Sequence, residues 1–348
     1  MANAGGTLLI LGNGFDLQCG LKSSYPDFFD WLRKGNDRAN TNLWAVHFLS
    51  DTPTGTLWVD IEGRLLRNML GGQGRNFRSS IMMRWAKNAK GNAWYTSTTS
   101  EASKYIANHI RDKGKALSHA VFDSYWFLDE LRAFERQFCE YMKAEVARNT
   151  DYLANATKLM KAIVDGDKVD VINFNYTNPF ASGSADEKLR GMVDRVTNVH
   201  GTFDDNNIIF GVDLTEDLPI EAHIFTKTHR KMLQGTPARA LHWHVNKIKF
   251  YGHSLAKADY SYFHSIFDNY NLYGDSLAYG TSKTEQVELQ FYFTIYDEDK
   301  KSEIVRKATD SVYKLITEYG TKFDNKDKGK NLLHKLLLEG RVQIKELN

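Results

Sequence analysis

The stretch Thr7-Leu8-Leu9-Ile10-Leu11-Gly12-Asn13-Gly14-Phe15-Asp16 decides the fold. Leu8 to Leu11 are four consecutive apolar residues, the pattern of a strand buried on both faces in a parallel sheet. Gly12 and Gly14 end the run within three residues. Glycine permits positive φ and close backbone approach, so such a strand-to-helix turn can offer N–H groups to a phosphate. Any α/β fold also needs a tight turn at this point, and a lone GxG is shared by both explanations. Asp16 is placed to cap the next helix or to stand at the mouth of a ligand site.

Composition narrows the class. The chain has 348 residues, enough for one large domain or two modest ones. Its formal charge of +2 gives no overall electrostatic case for nucleic acid or for a membrane surface. Cys19 and Cys139 are the only cysteines, too few for a disulfide framework or a four-cysteine zinc site. No run approaches the ~20 apolar residues of a membrane helix, and Met1 to Gly6 lacks the makings of a signal peptide. These features predict a soluble protein of the reducing cytoplasm.

Downstream of the turn, Ser23-Ser24-Tyr25-Pro26-Asp27 carries cap candidates, an early proline and an acid suited to a helix N-terminus. Phe28-Phe29 and Trp31-Leu32 follow at helical spacing. From about 41 to 160 the pattern is mostly helical. Trp58 to Leu66 is amphipathic, and so is Phe122 to Ala147, where apolar residues recur every three or four positions. The glycine-bearing tract from Gly71 to Gly91 carries Arg75, Arg78, Arg84, Lys87 and Lys90, which reads as a solvated surface rather than a polyanion site.

Strand patterns then return at Val169 to Thr177, Val196 to Gly201, Asn207 to Gly211 and Lys247 to Gly252. Four of the strands end in polar or glycine clusters: Gly12 to Asp16, Asn173 to Thr177, His200-Gly201 and Gly252 to Ser254. Ligands of open α/β sheets bind outside the carboxyl ends of strands. Glu285 to Tyr296 reads as another strand, followed by helices at 302–319 and 331–339 and a last strand at 342–347. The expected architecture is a Rossmann-like parallel sheet flanked by helices. Residues 1–40 and 161–348 form that sheet and its helices, and 41–160 form a large helical insertion.

Among the strand ends, Asn173, Asn175, Tyr176 and Thr177 offer neutral hydrogen-bonding groups, and His200 is the group suited to proton transfer near neutral pH. Gly201 directly after it leaves room for a ligand to approach. Amides and an imidazole beside a phosphate turn suit the departure of a base from a ribose, whose transition state is oxocarbenium-like. An isolated histidine is equally well a satisfied structural one.

Gly12-Asn13-Gly14-Phe15-Asp16 resembles the signature of the AbiH family of phage abortive-infection proteins. So do Gly20-Leu21, Tyr25 to Leu32, Phe174 to Thr177, His200-Gly201, Ile209-Phe210-Gly211 and Tyr251 to Leu255, in order over most of the chain. More distantly, the series is similar to the sirtuin-like NAD-binding fold, with its GAG turn, Gln-Asn-Ile-Asp strand end, His-Gly and late Ser-Leu. The resemblance implies that Gly12 and Gly14 face the pyrophosphate of NAD, that Asp16 takes the place of the sirtuin Ser with Asn13 and Phe15 also at the ligand, and that Asp27 and Phe28 belong to a lid. It makes Asn175 the group that handles ribose and water, and His200 the general base. It places Asn173, Tyr176, Thr177, Gly201 and Gly211 around the ligand, and Gly252, His253 and Ser254 on its adenosine side.

Departures from the sirtuin pattern are informative. Phe174 replaces Gln, Thr177 replaces Asp, Phe29 stands where Arg often follows, and zinc-ribbon cysteines are absent, so protein deacylation is not expected. The expected function is an antiphage effector that binds NAD and hydrolyses its nicotinamide–ribose bond, without a metal, acting as a homo-oligomer or beside a partner defence protein. Two other readings stand beside it: a nucleotide-sensing module without catalysis, and a nuclease suggested only by the basic tracts. Asp60 and Glu62 read as surface or capping acids, with an inward Glu62 able to meet a ligand. His242 and His244 could chelate a metal but lack a third ligand, and the basic run from Lys227 to Lys249 reads as a solvated face.

Overall fold

The computed structural model describes residues 6–35, 38–55, 60–70, 80–92, 100–112, 123–181, 186–213, 218–235, 239–241, 245–274 and 286–347. Met1 to Gly5, Trp58, Gly71, Arg75, Arg78, Phe122, His242, His244 and Glu285, all invoked in the sequence reading, lie outside the described residues. In chain order the elements are β1 (Gly6–Leu11), α1 (Gly14–Gln18), α2 (Tyr25–Lys34), α3 (Leu43–Ser50), α4 (Ile61–Met69), α5 (Ile81–Asn92), α6 (Glu101–Asp112) and α7 (Ser124–Arg148). Next come α8 (Tyr152–Val164), β2 (Val169–Asn173), α9 (Glu187–Gly191), β3 (Val193–Asn198), α10 (Lys227–Leu233), β4 (Val245–Tyr251) and α11 (Tyr260–Asn269). The chain closes with β5 (Glu288–Phe293), α12 (Lys301–Thr321), α13 (Lys326–Leu338) and β6 (Val342–Glu346). Among the described residues no helix is long and apolar enough to cross a membrane.

Two compact units emerge. The first comprises Met1–Leu21, Asn149–Val199 and Pro237–Asn348, and the second Lys22–Arg148 and His200–Thr236. The first holds the sheet, six strands in the order β3-β2-β1-β4-β5-β6. Every pairing is parallel. This is the doubly wound Rossmann order, and the chain reverses its direction of travel across the sheet between β1 and β4. The buried Leu8-to-Leu11 run occupies the centre, as continuous apolarity requires of a strand covered on both faces. One face packs Leu8, Ile10, Ile248, Phe250, Leu289 and Phe291 against α11, α12 and α13.

The opposite face holds Lys249, only 2% exposed. Its ammonium donates to the carbonyls of Ile163 at 2.7 Å and Val164 at 3.3 Å, the last residues of α8. A cation there meets both the orphan carbonyls and the negative end of the helix dipole, while burial lowers its pKa. The basic run expected to be solvated is thus internal in part, with Arg239 exposed and His229, Lys231 and Lys247 half-buried. Lys227 and Arg230, in the second unit, are buried as well.

The second unit is helical, organised on α7. Tyr25, Phe28, Phe29 and Trp31 of α2 pack with Phe134, Phe138 and Tyr141 of α7 and with Phe210 in a continuous set of ring contacts. Arg230 of α10 clasps Glu135 of α7 through both guanidinium nitrogens, and Glu135 also accepts from the N–H of Phe210 at 2.7 Å. Glu62 meets Lys227 at 3.0 Å, and Asp60 caps α4 by accepting from the N–H of Gly63. The Asn207-to-Gly211 strand expected from sequence is not one. Its backbone bonds to the carbonyl of His200, the Glu135 carboxylate and, one residue on, Phe225, so no ladder forms.

Back in the first unit, the turns that follow β1 and β4 are zipped together. The N–H of Gly12 donates to the carbonyl of Tyr251 at 3.0 Å, and that of Gly14 to Gly252 at 2.8 Å. Any Cβ on Gly14 would lie 2.7 Å from the Gly252 Cα, and one on Gly252 (φ +69°) would lie 2.4 Å from the Phe15 nitrogen. Gly252→Ala therefore combines left-handed strain with a backbone clash, and should cost roughly 2–4 kcal/mol. Urea unfolding followed by circular dichroism measures the loss; an unchanged midpoint would contradict the packing.

Candidate functional site

The carboxyl edge of the sheet brings several expected residues into one place. Asp16, in the first turn of α1, is buried beneath that edge rather than at its mouth. It accepts from the Tyr152 hydroxyl at 2.8 Å, and the Thr177 hydroxyl lies 2.8 and 3.0 Å from its two oxygens. Thr177 belongs to the turn after β2, which Asn173 braces from within. The Asn173 amide donates to the Thr177 carbonyl and to Asn198, while its oxygen accepts from the N–H of Asn175. Asn173, Asp16 and Thr177 are therefore spent on holding the two turns in register. The Asn175 side-chain oxygen, by contrast, is buried and has no hydrogen-bond partner among the described residues.

The phosphate cradle expected from the glycines has a different use of its donors. The N–H groups of Gly12 and Gly14 are committed to Tyr251 and Gly252. Phe15 is fully buried between Phe180 and Tyr251, and Asn13 is exposed at the start of α1. His253 is fixed by both ring nitrogens: Nδ1 accepts from the N–H of Leu255 at 2.9 Å, and Nε2 lies 3.3 Å from the Asp259 carboxylate. Its ring also meets Phe174 and Phe263 edge-on.

A cavity of about 800 Å³ opens beside this zipped seam, wholly within the first unit. Gly14, Leu17 and Gln18 bound it on one side, Gly252, His253 and Ser254 at the end of β4, and Phe291 to Thr294 at the end of β5. α12 covers it with Ile304, Lys307, Ala308, Ser311 and Lys314. A volume of this size beside the switch, at the carboxyl ends of the strands, is where small ligands of such folds bind. The β5 and α12 residues were missed from sequence. The available signal was the Phe293-Thr294-Ile295-Tyr296 end of that strand, read only as the approach to a turn.

The remaining expected residues, Tyr176 apart, sit in the second unit. Asp27 accepts from the Ser24 hydroxyl, and its own N–H donates back, capping α2. Phe28 is fully buried in the aromatic cluster. His200 is buried, and its carbonyl accepts from the N–H of Ile209. Gly201 has φ +77°, and a Cβ on it would meet the Asn207 carbonyl at 2.2 Å, so the glycine answers to its own loop rather than to ligand room. Gly211 lies against the backbone of Phe225 and Lys227. Tyr176 is half-buried in the turn after β2. Cys19 and Cys139 are buried free thiols, and burial pushes Cys139 up to about 11. Among the described residues no three His, Cys, Asp or Glu side chains are grouped to hold a metal.

The family described as bacteriophage abortive infection AbiH matches residues 8–279. The chain belongs to the AbiH family. That span takes in β1 to β4 and all of the second unit, and it stops before β5 and α12. No curated protein and no solved structure matches the chain. The family description ties this AbiH chain to abortive infection by phage.

Asp16 makes a pH prediction. Burial pushes its carboxyl from the ordinary 3.8 up to about 6, against hydrogen bonds from Tyr152 and Thr177 that pull it down. The folded protein keeps this proton in a window where the unfolded chain has released it. The associated stability is complete below pH 4 and is lost as pH rises through about 6, a change on the order of 3 kcal/mol. Asp16→Asn should remove that slope. Melting temperatures of both proteins from pH 4 to 7 test it, and parallel curves would contradict it.

Proposed function

We propose that this AbiH chain is an abortive-infection effector that binds NAD at the carboxyl edge of its sheet and cleaves the nicotinamide–ribose bond. The observation that carries the binding half is the cavity beside the β1–β4 switch, which has nucleotide-sized volume, aromatic and hydroxyl-bearing walls, and lysines on α12. The catalytic half rests on Asn175, whose buried amide oxygen is unspent among the described residues, and on the sirtuin-like sequence likeness that gives His200 the part of base. Water attacks C1′ of the nicotinamide ribose as the C1′–N bond breaks. The bonding pair neutralises the departing pyridinium, and the water's proton passes to a general base.

A second reading, nucleotide sensing without turnover, is favoured by two observations. The glycine amides that would cradle a pyrophosphate are already bonded, and Asn175 does not line the cavity.

Incubation of the purified chain with NAD, with nicotinamide release followed by chromatography and binding by calorimetry, separates the two. Turnover that falls about 100-fold or more in Asn175→Ala and in His200→Ala, with melting temperatures retained, supports cleavage. Binding without release selects sensing, and neither binding nor release removes the nucleotide reading.

A further inference from the structure

We infer that the cavity takes its nucleotide with the base inward and the phosphates at the α12 rim, held by Lys307, Ser311 and Lys314 rather than by the glycine turn. This rests on the proposal that the cavity is the nucleotide site.

Three observations point this way. First, the turn that would receive a phosphate in a Rossmann sheet has no spare donors at Gly12 and Gly14, because β4 takes both. The zipped seam also places the Gly252 backbone where a phosphate would have to approach. Secondly, the polarity of the cavity runs from floor to rim. Phe291, Leu255, Ile304 and Val312 are buried apolar residues. Lys307 and Lys314 are exposed, one on either side of Ser311 along the cavity face of α12. A base stacked on Phe293 gains from apolar and aromatic contact, whereas a phosphate gains from ammonium groups that stay near water. Thirdly, the competing contacts at the rim are weak. Lys307 meets Glu303 at 2.6 Å, but its side chain is 66% exposed, and such a pair contributes little and exchanges readily for a phosphate. Asp310, the one carboxylate among the described lining residues, directly precedes Ser311 on α12; it suits a ribose hydroxyl and works against the two lysines' hold on a phosphate.

The rim has a consequence for selectivity. β5 and α12 lie beyond residue 279, where the family match ends. The wall that would choose this chain's nucleotide is therefore built outside the part the family description covers.

Calorimetry at low salt, with ADP and with uncharged adenosine as probes, tests the orientation on the full chain. Wild type should bind ADP more tightly than adenosine. Lys307→Gln combined with Lys314→Gln should weaken ADP by about 30-fold and leave adenosine unchanged; both lysines are exposed, so melting should not move. Glu303→Gln, which frees Lys307, should tighten ADP about two- to fivefold. A double variant that binds ADP as wild type does overturns the lysine rim. So does a wild type that binds the two probes equally. The nucleotide reading itself is judged separately by Ala308→Trp, which fills the cavity from α12. Loss of adenosine binding in that variant keeps the site while the lysine result decides the rim. Adenosine binding that survives Ala308→Trp, or a wild type that binds neither probe, removes site and rim together.

Discussion

Backbone pressed against backbone is the constraint on which the first unit depends. Gly12 and Gly14 meet Tyr251 and Gly252 so closely that no side chain fits between them. In a doubly wound sheet the crevice at the switch is normally the space left because the chain departs in opposite directions from two adjacent strands. Here the β1–β4 ladder continues past both strand ends and closes that crevice. The open volume is displaced sideways, over β4 and β5 and beneath α12. Glycine is required at these positions, but for packing between turns. A motif that invites a phosphate reading is satisfied by the protein itself.

A second layer of order follows from this one. With α1 fixed by the zipped turn, Asp16 is driven under the sheet edge, where it can ionise only with hydroxyl donors at hand. Thr177 and Tyr152 supply them. The carboxylate thereby ties the turn after β1 to the turn after β2, and Asn173 finishes the second turn by bonding across it. Buried polar groups joined in this way are costly to disrupt, because removal of one leaves its partners desolvated and unpaired. What emerges at the end of β2 is a braced turn in which Asn175 presents an amide oxygen without a partner among the described residues.

The sequence made some of this legible and hid the rest for physical reasons. Leu8 to Leu11 was readable as a strand because burial on both faces leaves an unbroken apolar record, and Val169 to Asn173 and Lys247 to Tyr251 because β-branched and aromatic residues alternate there with polar ones. Parallel pairing followed from the helices between them. Asn207 to Gly211 carries the same local record without being a strand: its partner is the Glu135 carboxylate, and nothing local reveals a partner 75 residues away. The sirtuin-like resemblance made Phe28 a lid residue, although helical spacing with Phe29 and Leu32 already favoured the core in which it lies. Lys227, Arg230 and Lys249 look solvated in sequence because charge is the prior for exposure. Each is buried against a partner that only the tertiary structure supplies.

The position of the cavity also explains why the motifs marked only part of its wall, at Gly14 and Gly252 to Ser254. Sequence signatures collect at turns where the backbone is constrained, and in this chain those constraints come from the fold. The cavity walls instead use Tyr, Thr, Ser and Lys at ordinary strand-end and helix positions, where many residue types satisfy the backbone equally well. Side chains there are free to follow a ligand, and they leave no local pattern. The most recognisable residues of the first unit thus secure its architecture, while the least conspicuous ones, on β5 and α12, face the space that a ligand can enter.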